Sequence, residues 1–299
     1  MRILVIKLGA LGDVVLAFQP FADIRAHHPA ADITLLTTAP FAALLHGSPW
    51  FDEVVVDRRP PWWNLPGLLA LRRALRGFDM VYDLQTSGRS SRYFWLAGRP
   101  AWSGIASGAS LRHANPRRNA MHTIDRQRDQ LTMAGVPPGP PADLGWLIRD
   151  APDVSRPYAL LVPGAAPHRP AKRWPAGHFG ALAGILADRG FTPVIAGTAQ
   201  EAPLATAIRR VCPAAIDLTG RTSLAQLAGL AAQAALAIGN DTGPMHLAAA
   251  TGCPCLVLFS ADSDPALTAP HGPKPGRVTV LRVPDLADLP VARVADALP

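Results

Sequence analysis

Ala234-Ala235-Leu236-Ala237-Ile238-Gly239-Asn240-Asp241-Thr242-Gly243-Pro244-Met245-His246-Leu247-Ala248-Ala249-Ala250 opens as a short apolar run bounded by glycine, the pattern of a strand buried on both faces. It then turns polar. Asp241 or Thr242 suits a helix N-cap, Gly243 permits a tight turn, and Pro244 fits the first helical position. His246 falls one turn in, near the positive end of the helix dipole. Strand, polar turn and helix N-terminus in that order make a seat for an anion against backbone N–H groups. An ordinary capped helix after a strand reads the same way, so the stretch gains meaning from two similar turns, around Asp13 and Lys172.

The first of these follows the β-branched strand Arg2 to Leu8, which runs into Gly9-Ala10-Leu11-Gly12-Asp13. Helical spacing then extends from Val14 to Ala26 through Val14, Val15, Phe18, Phe21 and Ile24. Asp13 is either a structural N-terminal carboxylate or a general base held ionised by the helix end. The G-x-G-x-x-G dinucleotide fingerprint is absent.

The second turn, Val162 to Pro175, carries His168, Arg169, Lys172 and Arg173 in a Gly-Pro-rich loop before a helix. That combination suits a diphosphate, although it lacks the Gly-Lys-Ser/Thr ending of a Walker loop. Lys172 stands out because the chain holds only three lysines. Glu201, after Gly197-Thr198-Ala199-Gln200, ends a strand and either accepts ribose hydroxyls or caps the next helix.

Between these turns, strands and helices alternate, which predicts parallel sheets covered on both faces. The 299 residues suit two such α/β domains better than one. Val136-Pro137-Pro138-Gly139-Pro140-Pro141 cannot continue a helix or a central strand, which places the interdomain link at about 135–157. Domains of 1–145 and 146–299 follow, both doubly wound and facing a central cleft, with the C-terminal helix packing back on the first. Ligands of such sheets bind at the carboxyl ends of strands, where all three turns fall.

Composition narrows the classes further. Hydrophobic residues at 49% and charged residues at 17% describe a folded chain with a large core. Lys7 and Asp13 interrupt what could pass for a leader peptide, and no apolar run approaches a membrane span. A cytoplasmic protein is expected. Cys212, Cys253 and Cys255 form no metal-ligand spacing and suit a reducing compartment. The net charge of +7 is concentrated: residues 58–128 hold thirteen arginines against three aspartates. Guanidinium suits forked contacts to phosphate and carboxylate. An anionic partner is expected there, and no nucleic-acid-binding signature accompanies the charge.

Taken together, the turns resemble glycosyltransferase family 9, the bacterial lipopolysaccharide heptosyltransferases. The resemblance rests on Leu11-Gly12-Asp13-Val14-Val15, Pro163-Gly164 with Ala171-Lys172-Arg173-Trp174-Pro175, Leu218 to Leu224, Asn240 to Ala248, Ser263-Asp264-Pro265 and Pro270-His271-Gly272. It implies a GT-B fold and metal-independent, inverting transfer from a nucleotide-diphosphate heptose, usually ADP-heptose, with no cofactor. Asp13 would be the general base. Lys172 would hold the donor diphosphate with Thr242 and Gly243, while Asp241 and His246 serve the sugar and diphosphate region. Glu201 matches the ribose-binding position, and Thr222 lies in the stretch expected along the base.

The loop before Lys172 lacks the hydroxyls often found near the phosphates, a loss for which Arg169 would compensate. Gly12, Arg58, Arg89, Arg117 and Arg118 would face an anionic lipid-linked glycan acceptor at the inner membrane surface, contacted peripherally. Two other classes use such a scaffold. A non-catalytic nucleotide- or glycan-binding protein would bind donor without turnover, and a nucleotide-sugar epimerase would convert donor without acceptor.

Overall fold

The computed structural model describes residues 1–148, 151–166 and 168–299. Arg149 and Asp150 of the proline-containing link, and Pro167 of the basic turn, lie outside them. The chain divides into two compact units, Met1–Trp146 and Leu147–Pro299.

The first unit runs β1 (Arg2–Ile6), α1 (Leu11–Val15), α2 (Phe18–His27), β2 (Asp32–Thr37), α3 (Ala39–Leu45) and β3 (Glu53–Val56). It continues through α4 (Leu65–Ala74), β4 (Met80–Asp83), α5 (Gly88–Ala97), β5 (Ala101–Gly104), β6 (Leu111–Arg112) and α6 (Thr123–Met133). Among the described residues its strands form one parallel sheet in the order β3-β2-β1-β4-β5-β6. The central strand β1 is apolar from Ile3 to Ile6 and wholly buried there, as a strand covered on both faces requires.

The single helix expected over 14–26 is two helices, parted at Leu16 and Ala17. Pro20 has no N–H to reach the Leu16 carbonyl, so the helical ladder cannot close across that point. The side chain of Gln127 on α6 donates to that carbonyl instead, at 3.4 Å.

The proline-dense segment after α6 lies strapped along α2. The Gly139 N–H donates to Asp23 Oδ1 at 2.9 Å, Gln19 Nε2 to the Pro140 carbonyl at 2.9 Å, and the Ala142 N–H to Gln19 Oε1 at 2.9 Å. Its first half therefore belongs to the first unit's surface.

The second unit runs β7 (Tyr158–Val162), α7 (Ala176–Asp188), β8 (Thr192–Ile195), α8 (Ala202–Val211), β9 (Ile216–Asp217) and α9 (Leu224–Gln233). Then come β10 (Leu236–Asn240), α10 (Gly243–Ala250), β11 (Cys255–Phe259), α11 (Pro265–Thr268), β12 (Val278–Arg282) and α12 (Val291–Asp296). The sheet is again parallel, in the order β12-β11-β10-β7-β8-β9. Relative to chain order this repeats the first unit's winding, the doubly wound arrangement of dinucleotide-binding folds. The C-terminal helix, expected to pack back on the first domain, buries Val294 and Ala295 with Leu182 and Leu186 of α7 in the second core. Arg189 Nη1 also donates to the Ala295 carbonyl at 3.4 Å.

Each sheet reverses direction of winding at one place, between β1 and β4 in the first unit and between β7 and β10 in the second. The crevice outside those strand ends is where such folds take ligands. Among the described residues, no helix is long and apolar enough to cross a membrane.

Candidate active site

In the second unit, β10 ends at Asn240, which is completely buried at the reversal point. Its amide Nδ2 donates to the carbonyls of Pro163 and Gly164 at 2.8 and 3.3 Å, and its Oδ1 accepts the Trp174 N–H at 3.0 Å. One side chain thus ties the end of β10 to both ends of the basic turn after β7. That tie brings Lys172 to Asp241: Nζ to Oδ2 is 2.5 Å, with both side chains nearly buried. Ser263, in the loop after β11, donates to the same Oδ2 at 2.7 Å, and His246 Nε2 stands 4.0 Å from Oδ1.

Thr242 is the N-cap of α10 in extended conformation and makes no side-chain capping bond. Gly243 follows at the first helical position, Pro244 has no N–H, and the Met245 N–H donates to the Thr242 carbonyl at 3.0 Å. Gly239 is required just before: a Cβ there would lie 2.7 Å from Val162 Cβ and Met245 Sδ. The close approach of β7, β10 and α10 holds Asp241 and Thr242 at the crevice.

Glu201 sits between the ends of β7 and β8. A Cβ on Gly164 would fall 1.6 Å from its Oε1, and one on Gly197 would fall 2.7 Å from its Oε2. Oε2 accepts the Thr198 N–H at 2.6 Å and its hydroxyl at 3.1 Å. The capping role read for Glu201 is therefore present in the structure and engages Oε2. The turn Thr219–Thr222 lies alongside, with the Gly220 N–H donating to the Gly197 carbonyl at 2.8 Å. Thr222 is half-buried in that turn, and Arg169 is exposed on the basic loop.

In the first unit, β1 leads into Gly9, whose φ of +126° and contact with Phe41 (2.7 Å from a Cβ) admit no side chain. Asp13 occupies the third position of α1, and the Ala10 N–H donates to its Oδ2 at 3.2 Å. The carboxylate lines a cavity of about 240 Å³ with Lys7, Thr86, Arg118, Arg126 and Gln130 among its other walls. Lys7 is buried and donates to the Leu84 carbonyl at 3.0 Å. Burial pushes its ammonium down to about 8, opposed by the charges of Asp13 and Asp83 and reinforced by Arg126.

Asp83, at the end of β4, is pushed up to about 6 by burial, against hydrogen bonds from the Thr86 N–H, Ser90 and the Gln85 N–H. Burial and the neighbouring Arg126 also hold Arg118 below the usual guanidinium range. The loop bearing Arg118 is fixed by the buried His113, whose Nε2 lies 2.7 Å from Asp129 Oδ2. Asn115 donates to that same oxygen at 2.7 Å, and Arg118 Nε to His113 Nδ1 at 3.5 Å.

Of the residues expected on the acceptor side, Arg118 lines this cavity and Gly12 lies in α1 beside Asp13. Arg58, Arg89 and Arg117 do not line it. Arg58 and Arg117 are exposed, and the Arg89 guanidinium lies 5.3 Å from the centre of the Trp62 ring. Lys7 and Arg126 do line it, and neither was singled out from the sequence. Lys7 carried a signal, as one of three lysines at the end of an otherwise apolar strand. Arg126 carried none, being one of thirteen arginines. Among the described residues, no group of three or more His, Cys, Asp or Glu side chains is placed to hold a metal ion.

The profile of glycosyltransferase family 9 (heptosyltransferase) matches residues 68–290, three quarters of the chain and both reversal-point turns of the second unit. The chain belongs to glycosyltransferase family 9. It is accordingly a glycosyltransferase.

Among individual family 9 relatives, lipooligosaccharide heptosyltransferase 2 of Haemophilus influenzae is 34% identical over 133 residues, 43% of this chain and 37% of that one. Lipopolysaccharide heptosyltransferase 2 of Escherichia coli is 28% identical over 316 residues, covering 90% of this chain and 85% of the relative. Of solved structures, E. coli heptosyltransferase WaaC with ADP superposes with a TM-score of 0.82 at 24% identity, covering 99% of this chain and 98% of that one. That similarity establishes the fold, α/β of the GT-B type.

Proposed function

We propose that this family 9 enzyme transfers a heptose from ADP-heptose to an anionic, lipid-linked glycan of the lipopolysaccharide inner core, with inversion at the anomeric carbon. The reading is carried by the second unit's reversal point, where Lys172 meets Asp241 at 2.5 Å one residue before the N-cap of α10. A leaving diphosphate gains most from a cation and a helix N-terminus held ready for it. The relatives support the choice of donor. E. coli heptosyltransferase WaaC has been solved with ADP and with ADP-2-deoxy-2-fluoro heptose.

In this reading Glu201 accepts the ribose hydroxyls with Oε1, the turn at Thr222 borders the base, and Arg169 reaches the outer phosphate. The first unit supplies the base. Asp13 takes the proton of the acceptor hydroxyl as its oxygen bonds to the anomeric carbon, and the bond to the diphosphate breaks with its electron pair leaving on ADP. Lys7, Arg118 and Arg126 surround Asp13 with positive charge suited to an acceptor carboxylate or phosphate. Countercharge comes from Lys172 and α10, so the transfer needs neither metal nor cofactor and persists in EDTA. The enzyme works at the cytoplasmic face of the inner membrane.

The test is ADP release from ADP-heptose with and without purified inner-core acceptor, for wild type and Asp13→Asn. Acceptor-dependent release that falls at least a thousandfold in the variant, with ADP binding intact, supports the reading. Acceptor-independent release, or equal turnover in Asp13→Asn, overturns it.

A further inference from the structure

The segment around α4 leaves large apolar side chains in solvent. Trp63 is 84% exposed, Leu65 68% and Leu69 55%. Leu65 and Leu69 are four residues apart and share one face of α4, and Arg72, Arg73 and Arg76 continue from it, all exposed. Trp62 is held beside them by cation–π contacts, with the guanidiniums of Arg89 and Arg92 at 5.3 and 5.2 Å from its ring centre. One turn beyond Arg92 on α5, Trp95 is again exposed, under Arg99 at 4.3 Å.

Scattered apolar residues on a surface are ordinary. Here the exposed tryptophans among the described residues, Trp62, Trp63 and Trp95, all fall on this α4–α5 face. The segments that bear them carry charge of one sign: no Asp or Glu occurs from 58 to 78 or from 84 to 124.

We infer that this face is the surface by which the protein docks on an anionic phospholipid bilayer, with Trp63, Leu65 and Leu69 entering the interface. Tryptophan prefers the headgroup level, leucine the acyl boundary, and arginine reaches outward to lipid phosphates. Apolar insertion and basic attraction together give the two signals that stable peripheral binding needs. A second copy of the chain would set one arginine cluster against another, so the charge favours the lipid. The proposal deepens the membrane side of the proposed function and rests on that reading for its meaning, but its test uses vesicles free of glycan.

Full-length protein is sedimented with vesicles of phosphatidylglycerol and phosphatidylethanolamine, and with vesicles of phosphatidylcholine alone. ADP affinity is measured by calorimetry alongside. The expected result is at least roughly tenfold stronger partition onto the anionic vesicles, falling roughly fivefold for each arginine lost in Arg72→Gln and Arg73→Gln. High salt should abolish the arginine effect. Trp63→Ser/Leu65→Ser/Leu69→Ser should lower partition at every salt concentration with ADP affinity unchanged. If the triple variant does not fold, Trp63→Ser alone decides by the same readout.

Equal binding to both vesicle types, or variants that sediment like wild type, overturns the inference. So does sedimentation velocity showing that the apolar variants dissociate a dimer, which would make the occupant a second copy. Absence of ADP binding with vesicle binding intact would count against the proposed donor and leave this surface standing.

Discussion

Lys172 Nζ lies 2.5 Å from Asp241 Oδ2, with the two side chains 12% and 7% exposed. Sixty-nine positions separate them in sequence, and the buried amide of Asn240 draws their loops together. Neither charge is free to leave without stranding the other. The lysine is therefore held against an aspartate, and in the proposed function a donor diphosphate shares that same cation.

Lys172→Met separates the structural and the binding roles. Asp241 keeps the Ser263 hydroxyl but loses its close cation, and breaking such a pair leaves a buried charge worth roughly 3 kcal/mol of stability. Thermal unfolding should fall by roughly 5–10 °C. ADP affinity should fall roughly thirtyfold or more. In Lys172→Met/Asp241→Asn the stranded charge is gone, so melting recovers while ADP affinity does not. Recovery of both would show that the lysine serves only the aspartate.

Gly164 and Glu201 should behave as one unit. A methyl at Gly164 would occupy the space of Glu201 Oε1, displacing the carboxylate proposed for the ribose. Gly164→Ala is expected to weaken ADP binding roughly tenfold, and to add nothing in a Glu201→Ala background. Glu201→Gln retains an oxygen to accept from Thr198, so it should keep stability and narrow the preference for ADP over its 2′,3′-dideoxy analogue. Calorimetry on the four variants gives the coupling. Additive losses would separate the two residues.

Much of this fold was legible because its central strands are short, apolar and buried. Tyr158–Val162 and Cys255–Phe259 are continuous apolar runs of this kind, buried along their whole length. The two-residue strands Leu111–Arg112 and Ile216–Asp217 had no periodicity to show, being sheet edges defined by a neighbour. Glycine turns before helix starts exposed Asp13, Lys172 and Asp241, since backbone geometry restricts which residues occur there. Asn240 as the tie at the reversal point was hidden. Its letter reads as the end of a strand, and its role depends on two carbonyls over seventy positions earlier. The cations facing Asp13 were hidden for the same reason.

Asn240→Ala tests that tie. It removes three hydrogen bonds from a wholly buried site and leaves the Trp174 N–H and the Pro163 carbonyl to find new partners. A loss of roughly 2–4 kcal/mol in denaturant unfolding is expected. ADP affinity should fall with it, because Lys172 is no longer held to Asp241. Unchanged unfolding would mean that the loops are positioned by other contacts.

Two buried charges at the first unit's crevice give the protein a pH signature of known sign. Asp83 titrates near 6 in the fold against an ordinary 3.8. Between those values the folded chain keeps a proton that the unfolded chain has lost, so stability falls as pH rises through that window. Asp83→Asn removes this fall, worth up to about 3 kcal/mol, and its Oδ1 can still accept from Gln85 and Thr86. Lys7 is held near 8 against 10.5. Its burial penalty is fully present below about pH 8 and is relieved as pH rises toward 10.5, where the unfolded chain still binds the proton. Lys7→Met should therefore abolish a rise in stability between those values. If the Lys7 cation also serves the acceptor beside Asp13, kcat/KM declines above about pH 8 in wild type, and Lys7→Met shows a lower plateau without that limb. A basic limb near 8 that survives in Lys7→Met would assign it to another group.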